Sequence, residues 1–170
     1  CDVISDISSD GKGTVYIATD GNGVHFLSHK DQQVTRRFYH DVNDKEGIRS
    51  NSVYSLLVDD RGAVWVGHFQ AGLDYSLYQN GLFRTYAYPP LFNSANLSIR
   101  SFVNKGQEKV IGSRDGLFYI NEATGIVKSF VKPVLTSDLI LTICFYQGEY
   151  YIGTYGGGMM VLNPETLSLK

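Results

Sequence analysis

The chain has little cysteine, little proline, little charge and no long apolar run. Its two cysteines, Cys1 and Cys144, are too few for a disulfide framework, and their scarcity fits either a reducing or an oxidising compartment. Charged residues make up 19% of the chain, and 15 Lys and Arg against 17 Asp and Glu leave a net charge of −2. That balance offers no field for a phosphate backbone, so no nucleic-acid partner is expected. The longest apolar stretch, Leu139 to Tyr146, is eight residues and already contains Thr142. A spanning helix needs ~18, so no direct membrane insertion by this segment is expected. No basic stretch leads into an apolar one at the N-terminus, so no signal peptide is expected within it. A start at Cys1 without Met reads as a processed piece of a longer protein.

What the chain does have is 18 Gly, 12 Tyr and 9 Phe in 170 residues. Disordered chains are charge-rich and aromatic-poor, the reverse of this one. The glycines lack a three-residue period, which excludes collagen. The length is enough to bury roughly two thirds of the unfolded chain's surface.

The glycines mark a repeat. Asn51-Ser-Val-Tyr-Ser-Leu-Leu-Val-Asp-Asp-Arg-Gly-Ala-Val-Trp-Val-Gly67 reads as a strand, a tight Asp-Asp-Arg-Gly turn and a second strand. A short turn ending at Gly72 and a third strand follow. The same order recurs from Val3, from Ile99 and from Leu139. The small residue closing the second strand is Ala18, Gly67, Gly112 and Gly153, at steps of 49, 45 and 41 residues. A small residue suits a place where neighbouring sheets approach closely. Fourth strands are expected at Val34 to Tyr39, Leu82 to Tyr86, Ile126 to Val131 and the stub Leu167 to Lys170. A period of ~40–50 residues with four strands per unit predicts an all-β fold, a β-propeller of about four four-stranded blades. The expected blades are residues 1–50, 51–96, 97–137 and 138–170 of a single propeller segment. A β-sandwich is the alternative, but it demands no repetition.

Asp59-Asp-Arg-Gly-Ala-Val-Trp-Val-Gly67, and Tyr151-Ile-Gly-Thr-Tyr-Gly-Gly-Gly158 with Met-Met-Val-Leu-Asn-Pro164, resemble the two-component-regulator propeller repeat. The resemblance runs over nearly the whole chain as four tandem copies. Copies two and four match best. Copy one has Tyr16 and Ala18 where the family prefers Trp and Gly, and copy three has lost the Asp and the Trp. The resemblance implies the periplasmic sensor region of a hybrid two-component regulator of gut Bacteroidetes, anchored through its parent in the inner membrane and responsive to oligosaccharides. Family members carry more blades, an immunoglobulin-like domain, a membrane span and a histidine kinase, so the chain looks like a fragment of a larger propeller.

The residues offer no catalytic set. There is no Gly-x-Ser-x-Gly elbow, and Cys144 inside an apolar run reads as a buried small hydrophobe. His25 and His29 read as solvated turn histidines rather than metal ligands. Asp20-Gly-Asn-Gly23 starts like a calcium loop but lacks the distal Glu. Gly156-Gly-Gly158 has no Lys-Ser/Thr after it and is no phosphate loop. Asp59 and Asp60 read as turn residues, and the Asn96-Leu-Ser98 sequon carries little weight in a bacterial chain. No metal, cofactor or turnover is therefore expected.

Binding is read from positions that differ between copies. Trp65, Tyr16 and Tyr151 share one repeat position and are expected in the core. The turns between second and third strands, with the connections between blades, are expected on one face. There Asn22, Arg49, His68, Phe69, Gln70, Arg114, Asp115 and Tyr155 are the candidate ligand-binding residues. Arg and amide groups would bond hydroxyls or a carboxylate, and Phe69 and Tyr155 would stack on sugar rings. The leading expectation is a non-catalytic oligosaccharide sensor. The alternatives are a protein-interaction or dimerisation module and, behind it, a propeller lyase or glycosidase. Blade faces left open at the ends of a four-blade segment predict neighbouring blades or a second copy as partner.

Overall fold

The computed structural model describes residues 3–77, 82–86 and 97–170; Cys1, the connection from Tyr88 to Asn96 and the sequon's Asn96 lie outside them. Sixteen strands form four sheets, and no helix occurs among the described residues. The first sheet holds β1 (Val3–Ser9), β2 (Thr14–Asp20), β3 (Gly23–Ser28) and β4 (Gln33–Phe38). The second holds β5 (Val53–Val58), β6 (Val64–His68), β7 (Leu73–Ser76) and β8 (Arg84–Thr85). The third holds β9 (Ile99–Lys105), β10 (Glu108–Ser113), β11 (Leu117–Asn121) and β12 (Ile126–Phe130). The fourth holds β13 (Ile140–Tyr146), β14 (Glu149–Thr154), β15 (Gly158–Asn163) and β16 (Ser168–Leu169). Each sheet is an antiparallel meander with its strands in chain order, the form of a propeller blade.

The chain divides into two compact units, one holding β1–β8 and the other β9–β16. In the first, Tyr16, Ala18, Val24, Phe26 and Phe38 of blade one meet Val53, Leu56, Val64 and Val66 of blade two in one buried core. Side chains of β1 stitch the blades together. Asp6 accepts from Leu56 N at 2.8 Å, and Ser8 Oγ from Val58 N at 3.0 Å.

The second unit repeats the plan. Val110, Leu117, Tyr119 and Phe130 of blade three pack on Ile140, Ile143, Tyr150, Ile152, Met160 and Leu162 of blade four. Ser101 stands at the register position of Asp6, opposite Gly112 as Asp6 stands opposite Ala18. Its hydroxyl accepts from Ile143 N at 2.8 Å. A Cβ at Gly112 would lie 2.5 Å from Ile140 Cγ2, so the small residue sets how closely the sheets approach. Glu108 joins the blades as well, accepting from Tyr119 OH at 2.6 Å and Tyr150 OH at 2.9 Å.

Three sequence expectations are corrected. Tyr16 and Trp65 are buried, but Tyr151 at the same repeat position is half-buried. It lies on the face of its sheet that turns away from the second core, beside exposed Tyr146 and Met159. Cys144 pairs with Tyr151 on that face and is exposed for the same reason. His25 sits within β3, paired with Ile17, rather than in a turn.

Candidate functional site

The turns between second and third strands meet the connections between blades within each unit. In the first unit, Gly21 N and Gly23 N both donate to Asn51 O at 3.0 Å, and Phe69 N donates to Ser52 O at 3.0 Å. In the second, Tyr155 N donates to Leu139 O at 2.8 Å. Asn22, Phe69 and Tyr155 therefore stand on turns whose backbones are pinned.

The first unit brings two of them together through a residue the sequence reading passed over. Asp74 on β7 is buried at 1% exposure. Its Oδ1 accepts from Arg49 Nε at 2.8 Å, and its Oδ2 accepts from Arg49 N at 3.0 Å and from His68 Nε2 at 2.9 Å. His68 is at 0% exposure, so it does not reach solvent or a ligand as the sequence reading had it; it supports Asp74 from beneath. Arg49 remains 41% exposed in its side chain. Phe69 is half-buried, its ring centroid 5.0 Å from that of Tyr54. Gln70 is exposed at φ 54°, with its N–H on Ser98 Oγ at 3.2 Å. Asn22 stands apart on the β2–β3 turn, its N–H on Thr19 Oγ1 at 3.2 Å and its Oδ1 3.5 Å from Arg37 Nη1.

The second unit carries the remaining three. Arg114 and Asp115 are exposed on the tight β10–β11 turn, where Asp115 N donates to Ser113 Oγ at 2.9 Å. Tyr155 is 68% exposed on the β14–β15 turn, an open ring on a fixed backbone.

The repeat explains why Asp74 and His68 are unusual. At the position of His68 the other copies have Thr19, Ser113 and Thr154. Each hydroxyl donates to the carbonyl of the glycine that closes the same turn, at 2.9, 3.0 and 2.9 Å. At the position of Asp74 they have His25, Phe118 and Met160. A charge inside the apolar third strand was the available sequence signal for Asp74.

A cleft of about 310 Å³ was also missed. It is lined by Arg36, Arg37, Tyr39, Asp41, Asp44 and Phe83, among others, beside the edge strand β4. Arg36 Cζ lies over the Phe38 ring, 4.7 Å from its centroid, a cation–π contact. Paired arginines on an exposed strand edge were its only sequence signal. Among the described residues no group of three or more His, Cys, Asp and Glu is placed to hold a metal ion.

Residues 47–70 match the family model described as two component regulator propeller. No curated protein matches the chain. Among solved structures, the chain is similar to one described as the extracellular domain of a hybrid two component system of B. thetaiotaomicron. They share 25% identity with a TM-score of 0.77, over 99% of this chain and 22% of that one. A second B. thetaiotaomicron extracellular domain, described as that of a one component system, gives 22% identity and a TM-score of 0.73 over 98% of this chain and 22% of that one. The β-propeller domain of Myceliophteria thermophila Cps50 shares the fold at 14% identity, with a TM-score of 0.68 over 98% of this chain and 56% of that one. The chain thus spans about a fifth of the length of the two bacterial domains.

Proposed function

We propose that this chain, whose residues 47–70 match the two component regulator propeller model, is a non-catalytic, oligosaccharide-sensing propeller segment of a hybrid two-component regulator, working in the periplasm. The observation that carries the reading is the likeness, over 99% of the chain, to the extracellular domain of such a system. In the first unit Phe69 offers a ring face, and Arg49 and Gln70 offer groups for hydroxyls; in the second, Tyr155 offers a ring face, and Arg114 and Asp115 offer groups for hydroxyls. A thermal-shift screen against neutral and acidic oligosaccharides tests it, because a ligand that binds only the folded chain raises the melting temperature. A shift of several degrees with at least one glycan supports the reading, and a flat screen overturns it. Phe69→Ala tests the first unit and Tyr155→Ala the second: the variant in the unit that holds the glycan should bind it roughly fivefold more weakly, about 1 kcal/mol of stacking. Unchanged affinity in both variants removes stacking on these two rings.

A second reading, an association module, is favoured by one feature. Blade one exposes Val3, Ile4 and Ile7 on β1, and blade four exposes Leu141, Tyr146 and Met159. Apolar side chains in such groups mark surfaces that neighbouring blades or a second copy would cover. Sedimentation of the chain and of Met159→Glu distinguishes the readings. Self-association abolished by the substitution favours the association module, and a monomer at all concentrations contradicts it.

A further inference from the structure

We infer that Arg49 is an anion-reading group that takes the carboxylate of a uronic-acid-containing oligosaccharide; the assignment of sugar class rests on the oligosaccharide reading above. Three of the four copies hold the turn after their second strand with a neutral hydroxyl on the glycine carbonyl. The fold therefore asks for no charge there. Blade two instead places Asp74 and His68 at 1% and 0% exposure, a costly burial unless the groups are paired. The expense is directed at one side chain. Asp74 holds Arg49 by its backbone N–H and by Nε, which fixes the guanidinium plane.

Nη1 and Nη2 of Arg49 then remain without a partner among the described residues, on a side chain 41% exposed. Two parallel N–H donors at a fixed orientation match the two oxygens of a carboxylate. Gly72 makes room for Nη2: a Cβ there would lie 3.0 Å from it. Exposed Gln70, two residues before Gly72, adds an amide for a neighbouring hydroxyl. Arg49 pre-set in this way loses little side-chain entropy on binding, which is where affinity is gained. Asp74 and His68 are its positioning residues.

The test is calorimetric titration of the chain with oligomers of galacturonic, glucuronic and mannuronic acid, their methyl esters, and neutral and sulfated fragments of similar length. The expected result is that one free acid binds at least tenfold more tightly than its own ester. Arg49→Gln should erase that difference and Arg49→Lys should diminish it, since an ammonium keeps the charge but cannot present two parallel donors. The ester comparison needs no variant, so it stands even if a substitution perturbs folding. An ester that binds as well as its acid, a tighter sulfated fragment, or an undiminished preference in Arg49→Lys overturns the assignment. Binding of neutral fragments alone overturns it while leaving the oligosaccharide reading intact. Binding of no glycan at all overturns both.

Discussion

Asp59 holds the blade-two turn almost alone. Its Oδ1 accepts from Arg61 N at 3.0 Å and Ala63 N at 2.8 Å, and its Oδ2 from Trp65 Nε1 at 3.0 Å. Asp59→Ala would strand a buried indole N–H and two backbone donors. We expect a loss of about 3 kcal/mol in urea unfolding, with Asp59→Asn recovering part of it. Tyr119 and Tyr150 make a second residue-scale case. Burial, and then the hydrogen bond to Glu108, push the Tyr119 phenol up to about 12, and the same causes raise Tyr150 further. A raised phenol stabilises the fold below the unfolded value of about 10, and that contribution is lost as pH climbs through the folded value. Stability should therefore fall between about pH 10 and 12, with these phenols and Tyr16, which burial also pushes up to about 12, ionising last in an ultraviolet titration. Early ionisation of every tyrosine would contradict this. The Asp59 turn was legible because its pattern is local. Tyr151 and Cys144 were misread because burial depends on which face of a sheet is covered, and a repeat position does not carry that.

Strand order and the blade plan were legible from the recurrence of one pattern at Ala18, Gly67, Gly112 and Gly153. What the elements do to one another was not. The bonds from Asp6 to Leu56 N and from Ser101 to Ile143 N join residues far apart in sequence and different in type, so no motif announces them. The same holds for the site. Arg49 and His68 stood out on their turns, but Asp74, which joins them, was hidden in a third strand. Close sheet contact at the small position gives the element-scale prediction. Gly112→Ala should push against Ile140 and Ile143 and lower stability by about 1–3 kcal/mol, read as a drop in melting temperature. A variant as stable as the parent chain would show that these blades can part at no cost.

The chain comprises two two-blade units, and its likeness to extracellular domains of two component and one component systems covers about a fifth of their length. The first unit presents an arginine held by a buried carboxylate, and the second an exposed Tyr155 on a pinned turn. The central claim is that this segment binds an oligosaccharide and leaves it unchanged. The most direct measurement titrates the chain, in a calorimeter, with the glycan that most raises its melting temperature, followed by chromatography of the same sample. Saturable heat and an intact sugar are expected. No heat from any glycan, or a cleaved product, would contradict it.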